Sequence, residues 1–248
     1  MKYSIATLLF SVILFTAGAQ RSAPDVLQTS KGALTIQPIV HASLVLTMKG
    51  LTIYADPTGG AANYSGLPSP DMIFVTDIHG DHFDPATIGA VRTANTMLFV
   101  PKAVADKLPD SLKGNVTVIG NGDKINQSGT IIAAIPMYNL PESPDSRHTK
   151  GRGNGYVLGI GGKNIYLSGD TQGIPEMRAL RGIDVAFVCM NMPYTMDVNE
   201  AADAVLAFSP KIVYPYHYRG QDVNVFKSKV DAGNKGIEVR LRNWYPGR

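Results

Sequence analysis

The stretch "VTDIHGDHFD", residues 75–84, sets two histidines and three aspartates directly behind the apolar run "DMIFV". In a chain with only five histidines, that concentration puts imidazole nitrogen beside carboxylate oxygen. These are the donors that divalent zinc, manganese and iron accept. Asp77, His79 and Asp81 alternate around Gly80. In an extended loop they can project to one side while His82 turns to a neighbouring direction, and a glycine lets the backbone fold around an ion. The other histidines are His41 in "VHAS", His148 in "RHTKG" and His217 in "YPYHY", each near the end of an apolar run or in a Gly/Pro-rich loop. One histidine in such a setting is usually a surface or hydrogen-bonded residue. All five together, with Asp170 of "YLSGDT", supply more donors than the four to six that one ion takes, which suggests a pair of ions.

The order T-D-I-H-G-D-H after a strand, H-T-x-G, G-D-T after a second strand, and a late histidine after a Y-P strand resembles the metallo-β-lactamase superfamily of hydrolases. The resemblance spans nearly all of the chain after its leader. "IVHASLVL", "YADP" and "PYHYRG" look closer to the branch of ascorbate-6-phosphate lactonase-like and other uncharacterised metal-dependent hydrolases than to the antibiotic-degrading branch. The resemblance implies a single-domain α/β fold, the four-layer αβ/βα sandwich, with two divalent metal ions. His79 and His148 would bind the first ion, with Asp77 standing where the family has its first histidine. Asp81, His82 and His217 would bind the second, and Asp170 would bridge the two. Zinc is the first expectation; manganese and iron are alternatives, because an oxygen donor at Asp77 hardens the first position. The departure at Asp77 has two readings. Either the carboxylate ligates, and two divalent ions plus one hydroxide neutralise the three acids, or the first position is weakened and poorly filled.

The chemistry implied is attack by a metal-bridging hydroxide on an ester, lactone or related bond of a small molecule. Asp81 would be the catalytic residue that orients the nucleophile, and its protonated form could pass a proton to the leaving group. A phosphodiesterase or β-lactamase using the same site, and a non-catalytic metal- or ligand-binding protein with a degenerate first site, are the alternatives. Five further residues are candidates for substrate contact or support. His41 either contacts the site or is a structural histidine at a strand end. Asp56 braces a metal-binding loop or caps a turn. Tyr194, Tyr218 and Arg219 lie in loops that should border the mouth, where Arg219 either pairs with a phosphate or carboxylate or merely covers surface.

The elements that would position these residues read as strands first: "ALTIQPIV", "SLVLTM" and "LTIYAD". After the loop 56–71, "MIFVT" reads as a strand buried on both faces. Asp84-Pro85 has the form of an N-cap with proline in the first turn, opening the helix "PATIGAVRT". "MLFV", "PKAVADKL" and "NVTVI" follow as strand, helix, strand, and "TIIAAIP", "GYVLGI" and "KNIYLSG" as strands. "IDVAFV" precedes the helix "DVNEAADAVLAF", where Asp197 and Glu200 occupy capping-box positions. "KIVYPYH", "VNVFKSKV" and "IEVRL" close the chain as strand, helix, strand. This alternation predicts sheets covered by helices, with no short-period repeat and no linker.

Residues 1–19 read as a signal peptide, with Lys2, an apolar stretch from Ile5 to Phe15, and Ala17 and Ala19 before the cleavage point. Residues 20–30 read as a polar lead and 31–248 as the hydrolase domain. The mature protein is therefore expected to be exported, periplasmic or secreted, with no membrane span. At 248 residues, 44% hydrophobic and 17% charged, it can bury one sizeable core. A net charge of +3 from scattered basic residues argues against nucleic acid and leaves a small-molecule substrate as the expected partner. The single cysteine, Cys189, excludes an intramolecular disulfide, and its apolar setting "IDVAFVCM" reads as a buried, inert thiol.

Overall fold

A computed structural model describes residues 21–246; the signal peptide expected over 1–19 lies outside the described residues. The first seven strands form one sheet in chain order: β1 (Asp25–Thr29), β2 (Gly32–Val40), β3 (Ser43–Met48), β4 (Leu51–Ala55), β5 (Met72–Phe74), β6 (Met97–Val100) and β7 (Val116–Val118). β1 to β4 are antiparallel, and β5, β6 and β7 are added in parallel. The second sheet repeats the plan. β8 (Lys124–Gln127), β9 (Thr130–Met137), β10 (Gly153–Ile160) and β11 (Lys163–Leu167) are antiparallel, and β12 (Val185–Cys189), β13 (Ile212–Tyr216) and β14 (Glu238–Val239) follow in parallel. Parallel neighbours need crossovers. Those in the first sheet are the loop 56–71, α1 (Pro85–Val91) and α2 (Lys102–Ala105); those in the second are α3 (Pro175–Arg178), α4 (Val198–Phe208) and α5 (Val223–Ala232).

Side-chain alternation assigns each strand two faces. Ile53, Ala55, Phe74 and Phe99 join the core shared with the second sheet, while Tyr54, Ile73, Leu98 and Val100 pack under the helices of the first half. That is why "MIFV" and "MLFV" read as unbroken apolar runs: both faces are covered. Phe74 and Phe99 stack at 4.9 Å and Tyr156 of β10 meets Phe74 edge-on at 5.1 Å, which ties the sheets together. On the far side, α4 lays Ala201, Ala204, Val205 and Phe208 into the same core.

The caps hold where the sequence placed them, with one difference. Asp84 accepts from the backbone N–H of Ala86 and Thr87, with Pro85 in the first turn. Asp197 accepts from Asn199 and Glu200, but Glu200 does not return the bond. Its carboxylate accepts instead from the N–H of Gly173, at 2.9 Å, so half of the capping box is exchanged for an anchor on the loop after Asp170. The stretch expected as a polar lead contains β1, whose alternating exposure is that of an edge strand. β7 and β14, at the other edges, are shorter than "NVTVI" and "IEVRL" suggested, because an edge strand has one partner and stops where that partner stops. β8 was not anticipated, and "PKAVADKL" is helical only over α2. Among the described residues no helix is long and apolar enough to cross a membrane.

The chemically interesting residues gather where strands end. His41 follows β2, the 76–84 loop follows β5, His148 lies between β9 and β10, Asp170 follows β11 and His217 follows β13. Loops at strand C-termini are where open α/β sheets build sites.

Candidate metal centre

Close backbone approach, rather than the glycine of the motif itself, shapes the loop 76–84. The N–H groups of His82 and Phe83 both donate to the carbonyl of His79, at 2.9 and 2.8 Å, and make the turn. Gly80 has ordinary backbone angles and open space where a Cβ would stand, so the expected need for glycine there is not seen. The required glycine is Gly153. Asn154 N–H of β10 donates to the Thr76 carbonyl at 2.9 Å, and a Cβ on Gly153 would lie 2.7 Å from that same oxygen. Three site residues, His41, Asp56 and His217, adopt left-handed backbone with φ of 56°, 43° and 47°, a conformation uncommon for side-chain-bearing residues and often found at functional sites.

Asp170 stands at the centre. Its Oδ2 lies 3.3 Å from His82 Nε2 and 3.2 Å from His148 Nε2, and its Oδ1 lies 3.3 Å from His217 Nε2. Asp81 Oδ2 lies 3.5 Å from His217 Nε2. Donors about 2.0–2.2 Å from a tetrahedral ion are separated from each other by about 3.3–3.6 Å, whereas N–H···O bonds cluster near about 2.9–3.0 Å. His82 Nε2, His148 Nε2, His217 Nε2 and Asp170 Oδ1 are buried and make no hydrogen bond. Buried polar atoms without partners are rare and costly. The donor set, its spacing and its orphaned atoms all fit a divalent cation.

Two of these histidines have their other nitrogen occupied. His82 Nδ1 pairs with Asp56 Oδ2 at 2.8 Å, and Asp56 in turn accepts from Thr76 N–H at 2.7 Å and Thr76 Oγ1 at 2.6 Å. His148 Nδ1 faces Asn139 Oδ1 at 3.2 Å, and the same oxygen accepts from His148 N–H at 2.8 Å. Each bond selects the tautomer that leaves Nε2 free. In the polypeptide alone, burial disfavours a charged His82, but Asp170 and Asp56 outweigh it and raise its pKa well above the usual value. Positive charge is favoured at this point. Burial likewise opposes ionisation of Asp170, and the surrounding His217 and His82 still hold its pKa well below the carboxylate range.

The first donor set, Asp77, His79 and His148, is built differently. All three come within ligating distance of one another, but Asp77 Oδ2 and His79 Nδ1 are 2.6 Å apart, closer than an ion's span although Nδ1 makes no hydrogen bond, and His148 Nε2 is 3.9 Å from Asp77. The fully buried Asp77 carboxylate also takes a two-pronged bond from Arg152, Nε to Oδ1 at 3.2 Å and Nη2 to Oδ2 at 3.1 Å. Burial would raise the Asp77 pKa; His79, His82 and Arg152 together lower it. Where the family pattern has a neutral imidazole, this chain has an acid and a guanidinium whose formal charges cancel. Nothing in "HTKGRGN" signals that partnership, because the two residues are joined only through the meeting of β10 with the motif loop.

Asp81 faces outward, its side chain 41% exposed, and forms the floor of a cavity of about 440 Å³ with Asp170. Burial works against its ionisation, but His217 and His41 beside it hold its pKa far below the usual range. That favours the orienting role expected for Asp81 over the protonated, proton-donating one. His41 supplies its bond through Nε2, 3.1 Å from Asp81 Oδ2, and its Nδ1 faces Tyr245 Oη at 2.9 Å. Burial pushes the His41 pKa down to about 4, against the pull of Asp81, so the neutral ring donates from Nε2 and its Nδ1 accepts a hydrogen bond from the tyrosine hydroxyl. Asp56 braces the motif loop. Tyr218 directs its hydroxyl to the Arg242 carbonyl at 3.3 Å and packs against Tyr245, supporting the C-terminal segment. Tyr194 and Arg219 line the cavity, together with Arg147 and Asn191, which the sequence did not single out.

Residues 35–217 match the family described as the beta-lactamase superfamily domain. The chain is similar to a metal-dependent hydrolase of Pyrococcus abyssi, 33% identical over 182 residues that cover 69% of this chain and 78% of that one. Among solved structures, a presumptive metal-dependent hydrolase of Parabacteroides distasonis superposes with a TM-score of 0.81 at 39% identity, covering 89% of this chain and 98% of that one. The metallo hydrolase Igni18 of Ignicoccus hospitalis, at 23% identity, shares the fold with a TM-score of 0.71 over 87% of this chain and 96% of that one.

Proposed function

The chain belongs to the metallo-β-lactamase superfamily as a metal-dependent hydrolase, and on that premise we propose an exported enzyme that holds two divalent cations and hydrolyses an ester, lactone or related bond of a small molecule. The observation that carries this reading is the position of Asp170, one carboxylate with both oxygens among the orphaned nitrogens of His82, His148 and His217. His82, His217, Asp81 and Asp170 would hold one cation, and His79, His148, Asp77 and Asp170 the other, with zinc the first candidate. Cations there would bring the pKa of a bound water down towards about 7 and polarise the bond under attack.

The residues of the chain do the positioning. Asp81 is exposed to the cavity and held ionised, so it would accept a hydrogen bond from the attacking water and align it. His41 fixes the Asp81 carboxylate through Nε2, and Tyr245 fixes His41. Asp56 and Asn139 orient His82 and His148 from behind. Because the His82 set is already spaced for an ion while Asp77 and His79 must first part, the two positions should fill in that order.

The resemblance of "VHAS" and "PYHYRG" to the lactonase-like branch places lactone and carboxylic ester substrates ahead of phosphodiesters and β-lactams. Export rests on the leader pattern of residues 1–19. Elemental analysis of protein purified without added metal or chelator tests the centre, with near two ions per chain expected, falling towards one in Asp77→Ala. None in the parent, even after added zinc or manganese, would leave a non-catalytic binding protein. Assays on a lactone panel, bis(p-nitrophenyl) phosphate and nitrocefin then rank the substrates, and turnover confined to nitrocefin would reverse the order.

A further inference from the structure

Among the described residues the arginines divide into three groups. Arg152, Arg240 and Arg242 each bond a carboxylate, and Arg21, Arg92, Arg178 and Arg181 each bond backbone carbonyls. Among the described residues, only the guanidiniums of Arg147 and Arg219 have no hydrogen-bond acceptor from the protein, and both line the cavity whose floor is Asp81 and Asp170. They reach it from separate loops, one immediately before His148 and the other two residues after His217. The acids that line the same cavity, Asp81 and Asp170, both belong to the candidate metal centre.

Each is nevertheless held in place. Arg147 lies over the ring of Tyr194, 4.6 Å from its centroid. That contact uses the face of the guanidinium and leaves its N–H edge open to a ligand. Asn139 fixes the arrangement against the centre: its Oδ1 holds His148, and its Nδ2 donates to the Tyr194 carbonyl at 2.9 Å. On the other side, the Arg219 backbone N–H donates to Tyr245 Oη at 2.9 Å. A third group points the same way. Asn191 lines the cavity, and its side-chain amide makes no hydrogen bond among the described residues, which leaves it open to a ligand or water there.

With two cations bound, the centre would leave these arginines without net counter-charge from below. Asp56, Asp77, Asp81 and Asp170 bring four negative formal charges and Arg152 returns one. Two divalent cations and one hydroxide would bring the sum to zero. We propose that the substrate carries an anionic group, a carboxylate or a phosphate, that Arg147 and Arg219 grip at the mouth while the bond to be cleaved lies over Asp81 and Asp170; the placement of that bond rests on the hydrolase reading above. Planar guanidiniums suit either anion through paired N–H···O bonds. The cavity volume of about 440 Å³ falls in the range of small-ligand sites, and the exposed Met192 beside Tyr194 offers an apolar wall for the rest of the molecule.

Calorimetric titration with three probes tests this: phenylacetate, phenylphosphonate and the uncharged phenylacetamide. The full chain is compared with Arg147→Gln, Arg219→Gln and the double variant, and the metal content of every sample is measured. Both arginines are on the surface, so the substitutions leave the fold intact, as a thermal melt would verify. At least one anion should bind the parent about tenfold or more tightly than phenylacetamide. Each single substitution should weaken that anion about tenfold, the gain expected from a charge-assisted bond, with phenylacetamide binding and metal content unchanged. Preference for the phosphonate assigns a phosphate, and preference for the acetate a carboxylate. Anion binding to the double variant within about twofold of the parent, or no preference over phenylacetamide, would overturn the proposal. Two ions per chain without an arginine effect would remove this proposal and keep the hydrolase reading; an arginine effect without metal would do the reverse.

Discussion

Arg152→Gln removes the counter-charge of an aspartate that has no contact with solvent. At 3.1 Å and an effective dielectric of about 20, the direct attraction is about 5 kcal/mol. His79 retains part of the load at 2.6 Å from Asp77, and the Arg152 side chain, 20% exposed, gains back some hydration when the pair is absent. The expected net cost is about 3 kcal/mol, the lower end of what breaking a buried pair costs. In chelator-treated protein this should lower the urea midpoint by about 1 M, given the slope of about 2–3 kcal/mol/M for a chain of this size. With zinc added, a cation beside Asp77 supplies the missing charge, and the cost should shrink to about half. Adding Asp77→Asn to the variant should recover most of the metal-free loss, since the stranded charge is then gone. A cost under about 1 kcal/mol without metal, or an equal cost with and without it, would refute the view that Arg152 neutralises the acid at the first position.

Three further outcomes follow from the geometry. Gly153→Ala should destabilise the protein by about 1–3 kcal/mol and lower its metal content, because the new Cβ would stand 2.7 Å from the Thr76 carbonyl; unchanged metal content and melting would show that the 76–84 loop is not held by this approach. Asp84→Ala should cost about 1 kcal/mol at neutral pH through loss of the α1 cap. Burial opposes ionisation of Asp84, but Thr87, Gly59 and Ala86 outweigh it and lower its pKa below 3.8; the charged cap's contribution is therefore complete above the unfolded value and fades as pH falls through the folded one, so denaturation curves of parent and variant should converge in acid. Burial first, and Asp170 second, push the Cys189 thiol up to about 12. It should resist a thiol reagent at mildly alkaline pH until denaturant exposes it, and fast labelling of the folded protein would contradict that.

The strands are legible in the sequence because their pattern is local. "SLVLTM" and "LTIYAD" carry the β-branched and apolar spacing of strands, and Asp84-Pro85 and Asp197 carry the chemistry of caps within a few residues. Edge strands were the weak point: β1, β8 and β14 have little apolar content of their own, and their order comes from one neighbour. The shared plan of the two halves, four antiparallel strands and then three parallel ones, leaves no trace as a repeat, because pairing depends on backbone bonds that many side chains satisfy.

The candidate donor set is the one that the family resemblance implies from the sequence. "TDIHGDH", "RHTKG", "GDT" and "YPYHY" each place candidate metal donors beside a strand end, and the kind of donor is visible whatever the path between them. Only the tertiary structure decided which charges meet. Arg152 reaches Asp77 across 75 residues and Tyr245 reaches His41 across 204, while Arg147 and Arg219 are brought to one cavity with Asp81 and Asp170 of the candidate centre. Coulomb attraction and hydrogen bonding act over a few ångströms in space and are indifferent to separation along the chain, so the partner of a charge is settled only when the sheets have packed.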